Sequence, residues 1–517
     1  MANEKYIVSF PELGLHIEAN AGDNLLGIIR KQDLPIDAPC GGTGRCGKCK
    51  VLIDDQVRYA CLTHVMQDIA VTLPNDTAAG ASDSGYAILA DHTALTASDE
   101  KDRPADRCNN KNRGMRDGTT ASEYAIAIDI GTTTVVLKLL DRSTGTQIAS
   151  SARLNAQITY GADVVSRINA ALDDAKTLSA LITKQIDGAI RELIAENHIA
   201  PKLVRRIAIS GNTTMSYILL GLPCRSLGFA PFLPAYGFET SYAYKDIFHS
   251  DTLDASCVVS PFISAYVGGD ITSGLYALAN EDDYILIDMG TNGELVFKRG
   301  DRLICTATAA GPAFEGGNIE YGTGSMRGAV SSVQYENGAF RCGTIADAAP
   351  TGICGSGILD LMAVLVREHI IDETGAFSET QERNRIVIAE NPASASYPQI
   401  YFTQKDVRQF QLAKSAIRSG IEILLDEMGE NPPSRVFLAG GFGQNLNPES
   451  AIITGLLPES FRGRVIPVGN SSLSGAVKTC LNNSAEQTLQ EIATLGSEIN
   501  LATHRLFDDF FMDYMMF

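Results

Sequence analysis

Four cysteines crowd into one short stretch near the start of the chain, with the spacing Cys40-x5-Cys46-x2-Cys49-x11-Cys61. They are four of the 11 cysteines among 517 residues, and glycines surround the first three. Thiolates are soft ligands that suit iron–sulfur clusters or zinc. Ligands that converge on one metal centre restrict the path of the backbone between them. The stretch is therefore expected to fold around a metal.

The cysteine spacing favours iron over zinc. A structural zinc site usually combines two separated Cys-x2-Cys pairs, whereas this stretch has one such pair, preceded by the five-residue loop GGTGR. That layout is close to the plant-type [2Fe–2S] pattern, with one more residue in the first loop. Glycine lets the loop backbone direct N–H groups at sulfur without steric cost. Structural zinc and unligated thiols remain the alternatives. We predict that a [2Fe–2S] cluster is bound by Cys40, Cys46, Cys49 and Cys61.

The flanks of the cysteine stretch resemble a known small domain. KYIVSF and GLHIEA have the character of a strand pair, NLLGIIRKQ that of a short helix and KCKVLIDD that of a following strand. With the cysteines they resemble the β-grasp ferredoxin domain of adrenodoxin-like proteins, over residues 1–75. Residues 76–122 are rich in Ser, Thr, Asp, Ala and Gly and lack an apolar period. This composition predicts a flexible linker, which either lets the ferredoxin swing or acts as a plain spacer.

A regular pattern begins at residue 123 with EYAIAIDIGTTTVVLKLLD. Its alternating apolar run predicts a strand over 124–130, followed by a tight turn and a second strand. Backbone N–H groups and hydroxyls in such a turn suit phosphate oxygens, and an aspartate just before it can hold Mg²⁺ through water. The residues concerned are Asp129, Gly131, Thr132 and Thr133.

The same pattern recurs in YILIDMGTNGELVF. The corresponding residues there are Asp288, Gly290, Thr291 and Asn292. Two Asp-x-Gly-Thr turns suggest a duplicated unit whose turns face one phosphate chain. A third strand, in RVFLAGGFGQNLN, runs into glycines that would let a nucleoside lie against the backbone. These are Gly440, Gly441 and Gly443, with Gln444 after them. Thr403 and Asp406 occupy capping-box positions at the start of the preceding helix.

These elements together resemble the acetate and sugar kinase/heat-shock ATPase/actin superfamily, whose members close two ribonuclease-H-like lobes on ATP. The chain has no P-loop signature, Gly-x4-Gly-Lys-Ser/Thr. The expected fold is therefore α/β and begins with the β-grasp [2Fe–2S] ferredoxin domain at 1–75 and the linker at 76–122. A first ribonuclease-H-like lobe is expected at 123–280, and a second lobe with the adenosine loop at 281–517.

A ferredoxin fused to this ATPase is similar to the reductive activators of corrinoid proteins, including O-demethylase activating enzymes. The resemblance covers nearly the whole chain through NAQITYGADVVSRI, ISGNTTM, GPAFEGGNIEYGTGSMRGAV, TGICGSGILDLM and AGGFGQNLN. It implies an ATP-hydrolysing enzyme that passes one electron from its cluster to a corrinoid protein. Inactive Co(II) would become Co(I) in an anaerobic methyltransferase system. An electron-donating reductase or ferredoxin, Mg²⁺ and a homodimer are also implied.

The resemblance implies roles for individual residues. The first Gly-Thr turn should bind the terminal phosphates, with Asp129 near Mg²⁺. The second turn should face the same phosphate chain from the opposite side. Gly440, Gly441, Gly443 and Gln444 should meet adenosine. A carboxylate must orient water for hydrolysis. The candidates for this role are Asp288, Asp270 of VGGD, and Glu294.

Charge and hydropathy exclude several classes of function. The formal net charge of -19 opposes binding to nucleic acid and to anionic membranes. No apolar run reaches the ~20 residues of a membrane helix, and the opening MANEKYIVSF lacks the layout of a signal peptide. A cytoplasmic protein is expected. The competing functions are an ATP-dependent electron donor to another enzyme, a redox sensor whose ATPase lobes switch a partner, and a metabolite kinase.

Overall fold

The computed structural model describes residues 5–32, 34, 36, 49–53, 56–73, 123–161, 163–290, 292–378, 384–390, 399–429, 431–443 and 445–517. Several predicted features lie outside these residues, namely the linker at 76–122, Cys40, Cys46, Thr291 and Gln444. By packing, the described residues divide into two compact units. One contains the residues up to 73 together with Tyr124–Val259, and the other is Ser260–Phe517.

The first segment forms a five-stranded sheet with one helix. Its elements are β1 (Lys5–Phe10), β2 (Leu15–Asn20), α1 (Leu25–Lys31), β3 (Lys50–Ile53), β4 (Gln56–Tyr59) and β5 (Ile69–Thr72). The strand order is β2-β1-β5-β3-β4, with β1 and β5 parallel. Asn24 caps α1 by accepting a hydrogen bond from Gly27 N. The apolar side of α1 joins a core that also contains Cys49 and Cys61. The predicted strand pair, helix and following strand are all present.

The segment from Tyr124 to Val259 forms a six-stranded sheet with the order β10-β11-β9-β6-β7-β8. Its elements are β6 (Tyr124–Ile130), β7 (Thr134–Asp141), β8 (Gln147–Leu154), α2 (Val164–Glu196), β9 (Val204–Gly211), α3 (Thr213–Leu219), α4 (Arg225–Gly228), β10 (Ser241–Ala243), α5 (Tyr244–Phe248) and β11 (Ser256–Val259). The central strand β6 has the bounds predicted for it. Most of its side chains are buried on both faces, as expected of an apolar strand inside an α/β sheet.

The second unit contains another six-stranded sheet, with the order β21-β20-β12-β13-β14-β22, and two smaller sheets. Its first elements are α6 (Gly269–Ala277), β12 (Asp283–Met289), β13 (Gly293–Arg299), β14 (Arg302–Thr308), β15 (Ala329–Glu336), β16 (Ala339–Thr344), β17 (Gly352–Ile353), α7 (Gly355–Arg367), β18 (Arg385–Glu390) and β19 (Gln399–Thr403). The remaining elements are α8 (Gln404–Met428), β20 (Arg435–Ala439), α9 (Gly440–Gly443), α10 (Pro448–Ile453), β21 (Val465–Gly469), α11 (Ser471–Leu481), α12 (Ala485–Leu495), β22 (Ser497–Glu498) and α13 (Phe507–Asp513).

The two six-stranded sheets share one plan. In each, the strand that ends in an Asp-x-Gly-Thr turn, β6 or β12, is followed on one side by two antiparallel strands. On its other side lie two parallel strands, β9 and β11 in the first sheet and β20 and β21 in the second. Asp129 and Asp288 are each the second-to-last residue of their strand. The predicted duplication is confirmed.

The segment between the two sheets packs with the second unit. Ile271 and Leu275 of α6 belong to one apolar cluster with Leu286 of β12. The hydroxyl of Ser273 donates a 2.8 Å hydrogen bond to the carbonyl oxygen of Ser472. By packing, the second unit therefore begins at Ser260, whereas the predicted division at 280/281 stays a prediction from the sequence.

The longest helix of the second unit has the predicted start. Thr403 Oγ1 accepts from Asp406 N at 3.2 Å, and the Asp406 carboxylate accepts from Thr403 N at 2.9 Å, which completes the capping box of α8. The helix ends at Gly429, whose φ of +96° is left-handed. Within the described ranges, no helix is both long and apolar enough to cross a membrane.

Candidate functional site

Two of the predicted cluster ligands meet inside the first segment. Cys49 directly precedes β3, and Cys61 lies in the short turn after β4. Their sulfur atoms are 3.2 Å apart, and both residues are buried. A hydrogen bond of 2.8 Å from Ala60 N to Cys49 O fastens the turn to the strand. Asn24 donates from its side chain to Cys61 O at 2.9 Å.

This pair of sulfurs fits one metal ion of a cluster. Two thiolates side by side can both reach a tetrahedral ion without movement of the backbone. Cys40 and Cys46 belong to the segment outside the described residues, so the structure brings together two of the four predicted ligands. Within the described ranges, no three His, Cys, Asp or Glu side chains are grouped so as to hold a metal ion.

Three cysteines outside the cluster stretch, Cys224, Cys305 and Cys342, behave as small apolar residues. Burial raises the pKa of the Cys224 thiol to about 12 and raises the pKa values of Cys305 and Cys342 above their ordinary range. A thiol with a raised pKa stays protonated and is a poor metal ligand. The structure therefore separates these cysteines from the pair at Cys49 and Cys61.

The first Asp-x-Gly-Thr turn is tight and partly accessible. Gly131 N donates to Thr134 O at 2.9 Å, and a Cβ atom at Gly131 would lie only 2.8 Å from the same oxygen. Asp129 is partly buried at the end of β6, whereas Thr133 is exposed. The hydroxyls and N–H groups of such a turn can donate to phosphate oxygens.

Two asparagines donate hydrogen bonds to this turn. Asn155 donates from Nδ2 to Gly131 O at 2.9 Å, and its own backbone N–H donates to Thr133 O at 2.8 Å. Asn212 donates from Nδ2 to Thr132 Oγ1 at 3.1 Å. The Oδ1 atom of Asn212 also caps α3 by accepting from Met215 N at 2.9 Å. Asn155, directly after β8, and Asn212, at the start of α3, thus fix the position of the turn.

The second turn has the same form. Gly290 N donates to Asn292 O at 3.0 Å, and Asp288 precedes it at the end of β12. Gly440, with a φ of +85°, comes so close that a Cβ atom on it would lie 2.7 Å from Asp288 Oδ1 and 2.7 Å from Met289 O. Only glycine fits there, for reasons of both φ and space.

Several carboxylates lie close to Glu294. Glu294 is the second residue of β13 and stands opposite Asp288 in the register of the hairpin. Asp270 lies in the first turn of α6, and Glu315 lies in the turn Pro312–Glu315. Burial, together with the charges of Asp270, Asp288 and Glu315, raises the pKa of the Glu294 carboxyl well above its ordinary value. The charges of two predicted catalytic carboxylates, Asp270 and Asp288, therefore act on the third, Glu294.

The predicted adenosine loop begins directly after β20. Gly441 is exposed and Gly440 is partly exposed, so both offer accessible backbone. Gly443 is buried, and a Cβ atom on it would lie 3.3 Å from the backbone of Leu438. A packing role accounts for Gly443. Contact of these glycines with adenosine stays a prediction.

Sequence reasoning missed three residues of these sites, namely Asn155, Asn212 and Glu315. Each lies in a stretch that carries the family resemblance, NAQITYG, ISGNTTM or GPAFEGG. Their positions relative to the turns depend on the tertiary fold, so the linear pattern did not single them out.

Three family profiles match the chain. A 2Fe-2S iron-sulfur cluster binding domain matches residues 11–68, the RACo middle region matches residues 124–281, and the C-terminal domain of RACo, the ASKHA domain, matches residues 282–517. They support a [2Fe–2S] cluster in the first segment and ATP binding by the ASKHA domain. The predicted α/β fold, a ferredoxin domain followed by a kinase/heat-shock/actin-type ATPase, is confirmed.

The names of two relatives and of one solved structure refer to corrinoids or corrinoid proteins. The corrinoid activation enzyme RamQ of Eubacterium limosum is 32% identical over 419 residues, which cover 76% of this chain and 70% of that protein. A [Co(II) methylated amine-specific corrinoid protein] reductase of Methanosarcina barkeri is 23% identical over 427 residues, 75% of this chain and 76% of that protein. A solved structure, a reductive activator for corrinoid, iron-sulfur protein, superposes with a TM-score of 0.68 at 28% identity and covers 99% of this chain and 98% of its own.

Proposed function

Because the chain belongs to the family of reductive activators of corrinoid proteins, we propose that it returns an inactive Co(II) corrinoid protein to Co(I) at the expense of ATP. One electron leaves the reduced [2Fe–2S] cluster and enters the Co(II) centre. The system served is an anaerobic methyltransferase or O-demethylase. One observation carries the proposal: a single chain combines the converging thiols of Cys49 and Cys61 with two Asp-x-Gly-Thr turns on duplicated sheets.

The energetics explain why an ATPase accompanies the ferredoxin. Plant-type [2Fe–2S] clusters have potentials near about -400 mV, and Co(I) is formed only at lower potentials. A one-electron step uphill by ~100 mV costs about 2.3 kcal/mol, which hydrolysis of ATP exceeds. Cys49 and Cys61, with Cys40 and Cys46, would hold the cluster, which supplies one-electron transfer when bound.

The nucleotide roles extend the residue predictions. The backbone N–H groups and hydroxyls of Gly131, Thr132 and Thr133 would donate to phosphate oxygens, and Gly290, Thr291 and Asn292 would do the same in the second unit. Asp129 and Asp288 would hold Mg²⁺ through water, since carboxylates are ligands that Mg²⁺ prefers. Asp270, Glu294 and Asp288 remain the candidates for orienting the attacking water, and Glu315 joins them because it lies within electrostatic reach of Glu294.

The same chemistry indicates which electron donor and which cellular compartment the reaction needs. The cluster must be reduced again after each electron leaves, so an electron-donating reductase or ferredoxin completes the cycle. A homodimer and a cytoplasmic location are part of the proposal. A reducing compartment would keep the cysteine thiols available for iron.

The test is anaerobic and spectroscopic. The reconstituted protein is mixed with a Co(II) corrinoid protein, a low-potential reductant and Mg-ATP, and the absorption of Co(I) is followed. We expect ATP-dependent growth of this absorption in the wild type and its loss in Cys61→Ser and in Asp288→Asn. Cys224→Ala and Asp301→Asn are matched controls, because they change a buried thiol and an exposed aspartate away from both sites.

One outcome contradicts the proposal. If ATP is consumed while Co(II) persists with several corrinoid proteins, the chain does not activate corrinoids. A redox sensor, or an electron donor to another enzyme, would then describe it better. Phosphorylation of a small metabolite by the wild type would instead identify a kinase.

A further inference from the structure

One stretch of the first unit exposes a run of apolar side chains. Residues 229–237, FAPFLPAYG, lead from α4 toward β10 without regular secondary structure, and we call them the apolar loop. The exposed fractions of its four large side chains lie between 41 and 62%, namely those of Phe229, Phe232, Leu233 and Tyr236. Within Tyr124–Val259, the other exposed large apolar side chains, Ile148, Val165 and Leu172, are separated from one another in the sequence.

The apolar loop has a fixed shape. Tyr236 N donates to the hydroxyl of Tyr217 at 3.1 Å, and Tyr217 is fully buried. Ala235 N donates to Ser226 Oγ at 3.1 Å, and the guanidinium of Arg225 lies 4.7 Å from the ring centre of Phe229. Two prolines within the loop further restrict its backbone. A loop whose backbone is already held in place loses little conformational entropy when a partner covers it.

The apolar loop is also free of charge. No charged residue occurs between Arg225 and Glu239, although the whole chain carries a net charge of -19. Exposed apolar patches of a few hundred Å² are often functional surfaces. Typical side-chain areas put the exposed apolar area at roughly 400 Å². A stable interface buries about 800 Å² per partner, so the patch suits a transient partner better than a permanent dimer.

We propose that the apolar loop is the docking element for the corrinoid protein, which meets it with an uncharged apolar surface. The inference rests on the proposed function. An activator needs its partner only after the cobalt has been oxidised, so its contact must form and dissociate repeatedly. A small, rigid and uncharged patch on an acidic protein meets this requirement, because the partner need not supply a matching charge.

The apolar loop and the first phosphate turn are attached to the same short helix. Asn212, the N-cap of α3, donates to Thr132 Oγ1 in the turn. Tyr217, near the other end of α3, bonds the backbone N–H and carbonyl of Tyr236 in the loop. Every residue of α3 is buried, so the helix cannot shift without moving its neighbours. We therefore expect the affinity for the corrinoid protein to depend on whether ATP is bound.

The experiment uses the full-length holoprotein and the Co(II) form of a corrinoid protein that the wild type activates. The double variant Phe232→Ser/Leu233→Ser removes apolar area from the loop. Its matched control is Ile148→Ser, which removes one exposed apolar side chain on the edge strand β8. Affinity is measured by anaerobic calorimetry with and without Mg-ATP, alongside ATP hydrolysis, cluster absorption and molar mass in solution. Tyr217→Phe is a second variant, which keeps the loop's apolar side chains but removes their anchor.

The expected result is specific to docking. The double variant should bind the Co(II) corrinoid protein at least ~10-fold more weakly, as expected for apolar hot-spot residues. Its cluster absorption, ATP hydrolysis and molar mass should match those of the wild type and of Ile148→Ser. Tyr217→Phe should weaken binding less and reduce the effect of Mg-ATP on it.

Three results would overturn the proposal. Unchanged affinity and unchanged Co(I) formation in the double variant would show that docking occurs elsewhere. A changed molar mass would assign the loop to contact between copies of this chain. Slower reduction of the cluster with unchanged corrinoid affinity would assign the loop to the electron donor. Failure of the proposed function is distinguishable, because the wild type would then activate no corrinoid protein.

Discussion

Asp288 and Glu294 stand directly opposite each other across the β12–β13 hairpin. Carboxylates that face each other across an antiparallel pair repel one another when both are charged. In the folded protein burial is the main cause that raises the pKa of Glu294, and the charges of Asp270, Asp288 and Glu315 raise it further. The folded state therefore holds a proton on Glu294 at pH values where the unfolded chain has released it.

The first prediction concerns the pH dependence of stability. Because the folded pKa of Glu294 is raised, its favourable contribution is complete below the unfolded pKa of about 4.3 and is lost as the pH rises through the folded value. Glu294→Gln removes this loss. Without nucleotide or Mg²⁺, the variant should have the larger free energy of unfolding at about pH 8 and little advantage at about pH 4. Denaturant unfolding at both pH values measures the difference.

Glu373→Gln is the control for this prediction, since Glu373 is exposed and belongs to the same unit. It should unfold like the wild type at both pH values. Glu294→Gln should also hydrolyse ATP more slowly, by about 100-fold if Glu294 handles the water proton. A variant that is no more stable at high pH than at low pH would show that Glu294 is not held protonated by its neighbours.

The second prediction concerns the cluster. Cys49→Ser and Cys61→Ser should each lose the iron content and visible absorption of the reconstituted protein, because each removes one sulfur of a pair that is 3.2 Å apart. Hydrolysis of ATP without a corrinoid partner should be unchanged. Cys224→Ala, at a buried thiol whose pKa is raised to about 12, should keep its full iron content. Retention of iron by Cys61→Ser would remove Cys61 from the ligand set.

Local patterns allowed much of the fold to be predicted. An apolar run predicts β6 over Tyr124–Ile130, and the Gly131-Thr132 pair after it predicts the turn, because these preferences act over a few residues. The capping box of Thr403 and Asp406 is equally local. Duplication of the sheet follows from the repeated turn, since similar segments fold alike.

The supports of the site could not be predicted in the same way. Asn155 and Asn212 bond the first turn from 24 and 80 residues away in the chain, and only the tertiary fold determines such pairings. The proximity of Glu315 to Glu294 likewise depends on the tertiary fold. The sequence of the apolar loop fits a buried segment as well as an exposed one. Whether the apolar loop is exposed depends on which residues of the unit pack against it in the tertiary fold.

The third prediction tests the support of the first turn. Asn212→Asp keeps an oxygen that can cap α3, where a negative charge is favourable, but loses the donor to Thr132 Oγ1. We expect nearly unchanged stability and a KM for ATP raised by roughly 3- to 10-fold, the loss of one hydrogen bond. Steady-state hydrolysis and thermal unfolding measure the two effects. Asn500→Asp, at the exposed N-cap of the short helix Leu501–Thr503, should change neither, and an equal KM in both variants would refute the role of Asn212.

The fourth prediction separates the two reasons why position 440 requires glycine, namely its backbone conformation and the lack of space for a side chain. The φ of +85° at Gly440 disfavours any side chain, and a Cβ atom would also lie 2.7 Å from Asp288 Oδ1. Gly429, with a φ of +96°, shares the left-handed backbone conformation but not the lack of space, because nothing lies within 4 Å of its Cβ position.

Gly429→Ala should therefore cost about 1–2 kcal/mol of unfolding free energy and keep ATP hydrolysis. Gly440→Ala should cost a further 1–3 kcal/mol, roughly the penalty of overpacking, and lose hydrolysis, because Asp288 must move. Denaturant unfolding and ATPase assays of both variants measure this, and equal losses would mean that the space beside Asp288 is not limiting.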